Sequence, residues 1–171
     1  MDTQHNKLNM KLRSITESDI HSVMEWSRDS TFCQANGWPS DRSPEEVQRW
    51  WSNCVNHPPE GLIRMGIIIN EELIGYADLA SINGDAAELG LAIGKSGLWG
   101  KGIGTQAAAL MMEYGAEELN LTVFHAETHE DNIRSGRMLE KLGFQEVSRI
   151  GYEVYEGKNS QLIQFQFLYR K

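Results

Sequence analysis

The stretch from Glu88 to Thr105 constrains this chain more than any other. It opens on Leu89, Leu91, Ala92 and Ile93, an apolar run of strand length. It passes through glycines at 94, 97, 100, 102 and 104, then enters a pattern in which Ile103, Ala107, Leu110, Met111 and Tyr114 recur at helical spacing. Strand, glycine loop and helix in that order make a cradle for phosphate. The first turn of a helix has amide N–H groups without partners and a partial positive charge, so it accepts an anion. Glycines let the backbone approach phosphate oxygens and take φ angles closed to other residues. Lys101 adds a positive charge at the same place. The loop is not a Gly-x-x-x-x-Gly-Lys-Ser/Thr element, because Lys101 precedes the last glycines. It is not Gly-x-Gly-x-x-Gly either, because Gly100, Gly102 and Gly104 alternate.

The rest of the chain reads as one α/β domain over 10–171, long enough to bury a core, behind a flexible tail over 1–9. Met10, Leu12 and Ile15 indicate a first edge strand. Thr16 and Asp19 start a helix with Ile20, Val23 and Met24 on its apolar face. Ser43, Pro44 and Glu46 start a second, which carries Val47, Trp50, Trp51 and Cys54 and is closed by Pro58 and Pro59. A loop over 31–42, with Phe32, Trp38 and Pro39, lies between them. The pattern then predicts a hairpin over 62–69 and 73–82, a strand over 87–93, a helix over 102–118 and a strand over 123–129. That last strand alternates, with His125, Glu127 and His129 on one face and Phe124, Ala126 and Thr128 on the other. Asp131 or Asn132 caps a further helix that stops at Gly143, and a hairpin of 144–155 and 162–169 ends the chain. The expectation is a mixed central sheet of about seven strands flanked by about four helices.

A net charge of −8 argues against nucleic acid and anionic membrane as partners and favours a cationic one, such as an amine. Cys33 and Cys54 lack paired spacing and read as free thiols in a reducing compartment. His125 and His129 share a strand face roughly 13 Å apart, too far to hold one metal ion together. The first residues are polar and no run reaches transmembrane length, which predicts a soluble, cytoplasmic protein.

Trp99, Gly100, Lys101, Gly102, Ile103, Gly104 and Thr105 resemble the pyrophosphate loop of the Gcn5-related N-acetyltransferase (GNAT) superfamily. Asn132, Ile133, Arg134 and Ser135, followed by Met138, Leu139, Glu140, Lys141, Leu142, Gly143 and Phe144, look like the next motif of that superfamily. The Trp-Gly-Lys-Gly reading at 99–102 is similar to the branch that acetylates ribosomal-protein N-termini. The resemblance runs from Lys11 to about Tyr169. It implies a GNAT-like fold and acetyl-CoA as co-substrate, with no metal. It also implies transfer to a primary amine by direct attack on the thioester, the acceptor being a protein N-terminus, a polyamine or an aminoglycoside-like molecule.

By the same resemblance, Leu98 through Thr105 would hold the pyrophosphate. Leu91, Ala92 and Ile93 would pair with the pantetheine amides as with an added strand, a backbone N–H near Ala92 facing the thioester carbonyl. Asn132 and Ser135 match positions near the pantetheine and the thiol, though a helix cap alone would also explain Asn132. Lys141 would reach the nucleotide phosphates. Trp38 would either line the acceptor groove or plug the core edge. Glu88 is the first candidate for the base, Glu127 the second and Asp78 the third. Many members carry a tyrosine, as general acid, seven residues after the motif asparagine. Here Leu139 stands there, leaving Ser135 or water to assist the thiolate. Leu139 also motivates an alternative, an acyl-CoA-binding module without transferase activity. The last strand, over 162–169, is where the resemblance would place a homodimer contact.

Overall fold

The computed structural model describes residues 9–170, so the expected tail, but for Asn9, lies outside the described residues. The strands are β1 (Met10–Ser14), β2 (Ile63–Ile69), β3 (Glu72–Asn83), β4 (Ala86–Ile93), β5 (Val123–His129), β6 (Gln145–Ser148), β7 (Tyr152–Tyr155) and β8 (Lys158–Leu168). The helices are α1 (Ile20–Ser27), α2 (Ser30–Asn36), α3 (Pro44–Asn56), α4 (Ile103–Leu119) and α5 (Ile133–Leu142). The sheet runs β1-β2-β3-β4-β5-β8-β6, with β7 also beside β8.

Every strand pair is antiparallel except β4 with β5. A parallel pair needs a crossover, and α4 supplies it. That pair holds for only three rungs, Ala86 with Val123, Ala87 with Phe124 and Glu88 with His125. β4 stays with β3 as far as Ile93 opposite Gly75, and β5 stays with β8 as far as His129 opposite Leu162. The sheet therefore forks after Glu88. Residues 89–93 keep a strand on one side and an opening on the other.

Strand alternation sends side chains to two cores. Ala77, Leu79, Ala87, Leu89, Phe124 and Ala126 meet Ala107, Met111 and Leu139 of α4 and α5. On the opposite face Ile68, Leu73, Tyr76 and Ala92 meet Val23, Trp26, Phe32, Val47 and Trp51 of α1, α2 and α3. At Gly115 a Cβ would crowd Leu79, Leu121 and Phe124, so the glycine lets α4 lie close on the sheet.

Two expectations change in detail. The loop expected over 31–42 contains α2, because the Asp29 carboxylate accepts from the N–H groups of Thr31 and Phe32 and Gly37 closes the helix in the left-handed region. The single strand expected over 144–155 is two, β6 and β7. At the break, the Gln164 side chain accepts from the Ile150 N–H and donates to its carbonyl, both at 2.9 Å. β8 has β5 on one edge and β6 on the other. Residues 164–166, inside the segment expected to pair two copies, therefore have no free edge.

Candidate functional site

The opening in the sheet leads to the glycine loop. β4 ends at Ile93, and the N–H of the next residue, Gly94, donates to the Ile74 carbonyl at 2.6 Å. A Cβ at Gly94 would overlap the Trp26 indole, so only glycine lets the chain leave the strand here. After a single 3-10 turn (Ser96–Leu98), the Trp99 indole N–H donates to the Ile93 carbonyl at 3.0 Å and ties the loop to the strand end. The Ser96 hydroxyl donates to Asp29 at 2.7 Å, so the residue that caps α2 also holds this loop. Gly100 and Gly102 have φ of +81° and +79°, and nothing stands within 4 Å of where their Cβ atoms would be. Gly102 is the N-cap of α4, and buried Ile103 anchors the first turn. This open cradle at a helix N-terminus fits a phosphate group.

A cleft of about 330 Å³ runs from the cradle to the fork. Leu91, Ala92 and Ile93 line it along β4, and Leu98 through Thr105 line it along the loop, with the exception of Lys101. Lys101 is exposed outside it. The wall on α5 carries Asn132, Ser135 and Lys141, as expected, together with Arg134, Arg137 and Met138. The Arg134 guanidinium lies 4.4 Å from the Trp99 ring centroid and so bridges the two walls. Arg134, Arg137 and Lys141 follow at steps of three and four, which puts three cations on one helix face. Of this row the sequence pointed only to Lys141. Ala35 and Asn36, at the end of α2, also reach the cleft. Nothing in the sequence motif pointed to them.

Asn132 serves as a cap, its Oδ1 accepting from the Ser135 N–H at 3.2 Å, and it lines the cleft as well. Leu139 is 3% exposed and belongs to the main core. Backbone groups of a strand alternate in direction. The Gly94 N–H bonds across to β3, whereas the Ile93 carbonyl is met by Trp99 from the other side. That alternation turns the amides of Leu91 and Ile93 toward the fork and the amide of Ala92 toward β3.

Beyond the fork the sheet face is polar. Glu88 and His125 sit on opposite sides of the last β4–β5 rung, and Glu127 follows on the same face of β5; all three are exposed. Glu127 Oε2 accepts from Gln164 Nε2 at 2.8 Å. The Glu88 carboxyl is raised above the usual range, first by partial burial between the strands and then by the Glu127 charge, with His125 opposing. Asp78 is engaged elsewhere. Its two oxygens accept from Arg64 Nε and Nη2 at 2.8 and 2.9 Å. Burial pulls the Arg64 guanidinium down, but the Asp78 carboxylate outweighs it and leaves the group more basic than usual. Trp38 packs edge-on against Phe32 and Trp50, with centroids 4.9 and 4.8 Å apart, in the α1–α3 core.

Residues 9–145 match the acetyltransferase (GNAT) domain. The chain belongs to the GNAT family. An uncharacterized N-acetyltransferase, p20, of Bacillus licheniformis is 31% identical over 113 residues, covering 63% of this chain and 63% of that protein. An uncharacterized protein of Methanocaldococcus jannaschii is 27% identical over 145 residues, covering 81% of this chain and 28% of that protein. The chain thus spans less than two thirds of the length of these curated relatives. Among solved structures, a ribosomal L7/L12 alpha-N-protein acetyltransferase in complex with coenzyme A superposes with a TM-score of 0.81 at 18% identity, covering 95% and 96% of the two chains. The spermidine N-acetyltransferase of Vibrio cholerae, in complex with CoA and spermine, gives 0.79 at 18% identity, covering 93% and 95%. At such identities the shared property is the fold.

Proposed function

We propose that this GNAT-family chain transfers an acetyl group from acetyl-CoA to a primary amine by direct attack on the thioester. The observation that carries the reading is the fork: an unpaired strand edge opens at one end onto a glycine cradle and at the other onto a carboxylate with a raised pKa. The cradle, with Arg134, Arg137 and Lys141 across the cleft, offers the charge and the open backbone that a pyrophosphate needs. The free edge at Leu91 and Ile93 can pair with an extended amide chain. One of those two N–H groups is then the donor to the thioester oxygen as it gains charge.

Glu88 is the base in this reading. An amine attacks only as the free base, and a carboxylate of raised pKa is matched to taking its proton, directly or through water. Glu127 lies beside it as second candidate, while Asp78, bound by Arg64, is the weakest of the three and serves better as framework. Trp38, packed against Phe32 and Trp50, serves the acceptor groove through the position of the segment between α2 and α3. The leaving thiolate has a conjugate pKa of about 8.5 by reference to cysteine and can depart with Ser135 or water as donor, since buried Leu139 has no proton to give. The net charge of −8 and the exposed Glu88 and Glu127 favour cationic acceptors. The fold-sharing spermidine and ribosomal L7/L12 enzymes make a polyamine and a protein N-terminus the first two to try. The reaction is assigned to the cytoplasm, with a homodimer as its working form. A second reading, an acyl-CoA-binding module, rests on Leu139 alone.

Thiol release from acetyl-CoA, followed against peptides, polyamines and aminoglycosides, tests the proposal. Release with one amine class, abolished in Gly102→Val and strongly reduced in Glu88→Gln, is the expected result. CoA binding without release to any amine would favour the binding module.

A further inference from the structure

We propose that Gln164 is a positioning residue that fixes Glu127 as the anion receiving the acceptor's ammonium group. The inference rests on the reading of the fork as the place of amine acetylation. It separates binding, at Glu127, from proton removal, at Glu88.

The argument starts from a row of side chains across three strands. Gln164 of β8 is opposite Glu127 on β5 and opposite Ser148 on β6, and opposed residues leave a sheet on the same face. An amide side chain has two N–H donors and two lone pairs, and here all four are used. Oε1 accepts from the Ser148 hydroxyl at 2.8 Å and from the Ile150 N–H at 2.9 Å. Nε2 donates to the Ile150 carbonyl at 2.9 Å and to Glu127 Oε2 at 2.8 Å. Reversing the amide would set donor against donor at the Ile150 N–H and acceptor against acceptor at Glu127. The contact with Glu127 is therefore fixed in sense as well as in place.

Glu127 itself is exposed, its Oε1 takes no hydrogen bond, and no cation pairs with it among the described residues. The surroundings leave room for a cation from outside. Glu127 lies about 7 Å along β5 beyond the Glu88–His125 rung, where the strands have parted. Two residues along β4 from the same rung is Gly90, and a Cβ there would meet nothing nearer than Asp78, at 3.7 Å. Asp78 is already paired with Arg64. The floor over Gly90 is thus bare between a paired carboxylate and an unpaired one. A primary alkylamine arrives as an ammonium ion, with a pKa of about 10.4 by reference to lysine. Glu127 meets that charge without first having to be ordered, because Gln164 already holds it.

The test compares Gln164→Met and Gln164→Asn, which leave no N–H within reach of Glu127, with Glu127→Gln and with the double variant Gln164→Met/Glu127→Gln. For the amine that supports thiol release, KM should rise by about tenfold in each single variant, with kcat and the KM for acetyl-CoA little changed. The double variant should be no worse than Glu127→Gln, because the two residues act as one unit. An unchanged amine KM in the folded Gln164 variants overturns the inference. So does an additive loss in the double variant, which would mean that Gln164 acts through Ile150 and not through Glu127. The reading of the fork fails separately, by release of thiol to no amine. Calorimetric titration of the CoA-bound wild type with spermidine then decides. Binding lost in Glu127→Gln and weakened in Gln164→Met supports the inference without that reading; no binding, or binding indifferent to both variants, overturns it.

Discussion

Gly94 and Gly102 do different work within one loop. At Gly94 the space where a side chain would be is filled by the Trp26 indole, a ring 1% exposed. Gly94→Ala should therefore destabilise the fold by about 1–3 kcal/mol, the usual cost of overpacking, measured by denaturant unfolding. Gly102 is crowded by nothing, but its φ of +79° is costly for any side chain. Strain of about 1–2 kcal/mol should cost the fold that much stability, and a branched side chain in the cradle should weaken CoA binding in Gly102→Val by about tenfold or more. The spacing of these glycines between an apolar run and a helical pattern made the cradle legible in the sequence. Arg134 and Arg137 were not, since an arginine on a polar helix face looks the same whether it meets solvent or a cleft. The direction of the Leu91 and Ile93 amides was hidden too, because it depends on which edge of β4 is paired.

At the scale of elements, the segments with strong periodicity form close to where the sequence predicts them, among them β5, α3, α4 and α5. α2 escaped notice because it is short and its cap, Asp29, precedes only one turn of apolar residues. Asp29 joins that helix to the glycine loop. Burial pushes its carboxyl up, but hydrogen bonds from Ser96, Phe32 and Thr31 outweigh this and leave it below the ordinary range. Asp19 behaves alike: burial raises it, and the Arg13 guanidinium with the Thr16 N–H more than offsets that. A depressed carboxyl stabilises the fold above its unfolded pKa, and that contribution is lost as pH falls through the folded value. Unfolding free energy should thus decline below about pH 4, and less steeply in Asp19→Asn, whose starting stability is lower. Asp29→Ala should remove a cap worth about 1 kcal/mol and weaken CoA binding as well, whereas a surface cap would affect stability alone.

For the whole molecule, the fork is the feature on which function depends, and it arises from long-range pairing. β4 and β5 are consecutive strands joined through α4, so their neighbourhood followed from the strand–helix–strand pattern. The point at which they part did not. It depends on β3 and β8 drawing the two strands in different directions, and no local pattern records that. The order in which β8 enters between β5 and β6 was hidden for the same reason, and with it the absence of a free edge at 164–166. Calorimetric titration with acetyl-CoA tests the central claim most directly, that the fork and its cradle form a CoA site. One binding site per chain in the wild type, strongly weakened in Gly102→Val with the fold intact, is the result this account predicts. No heat of binding to the folded wild-type protein, or equal affinity in the two proteins, would contradict it.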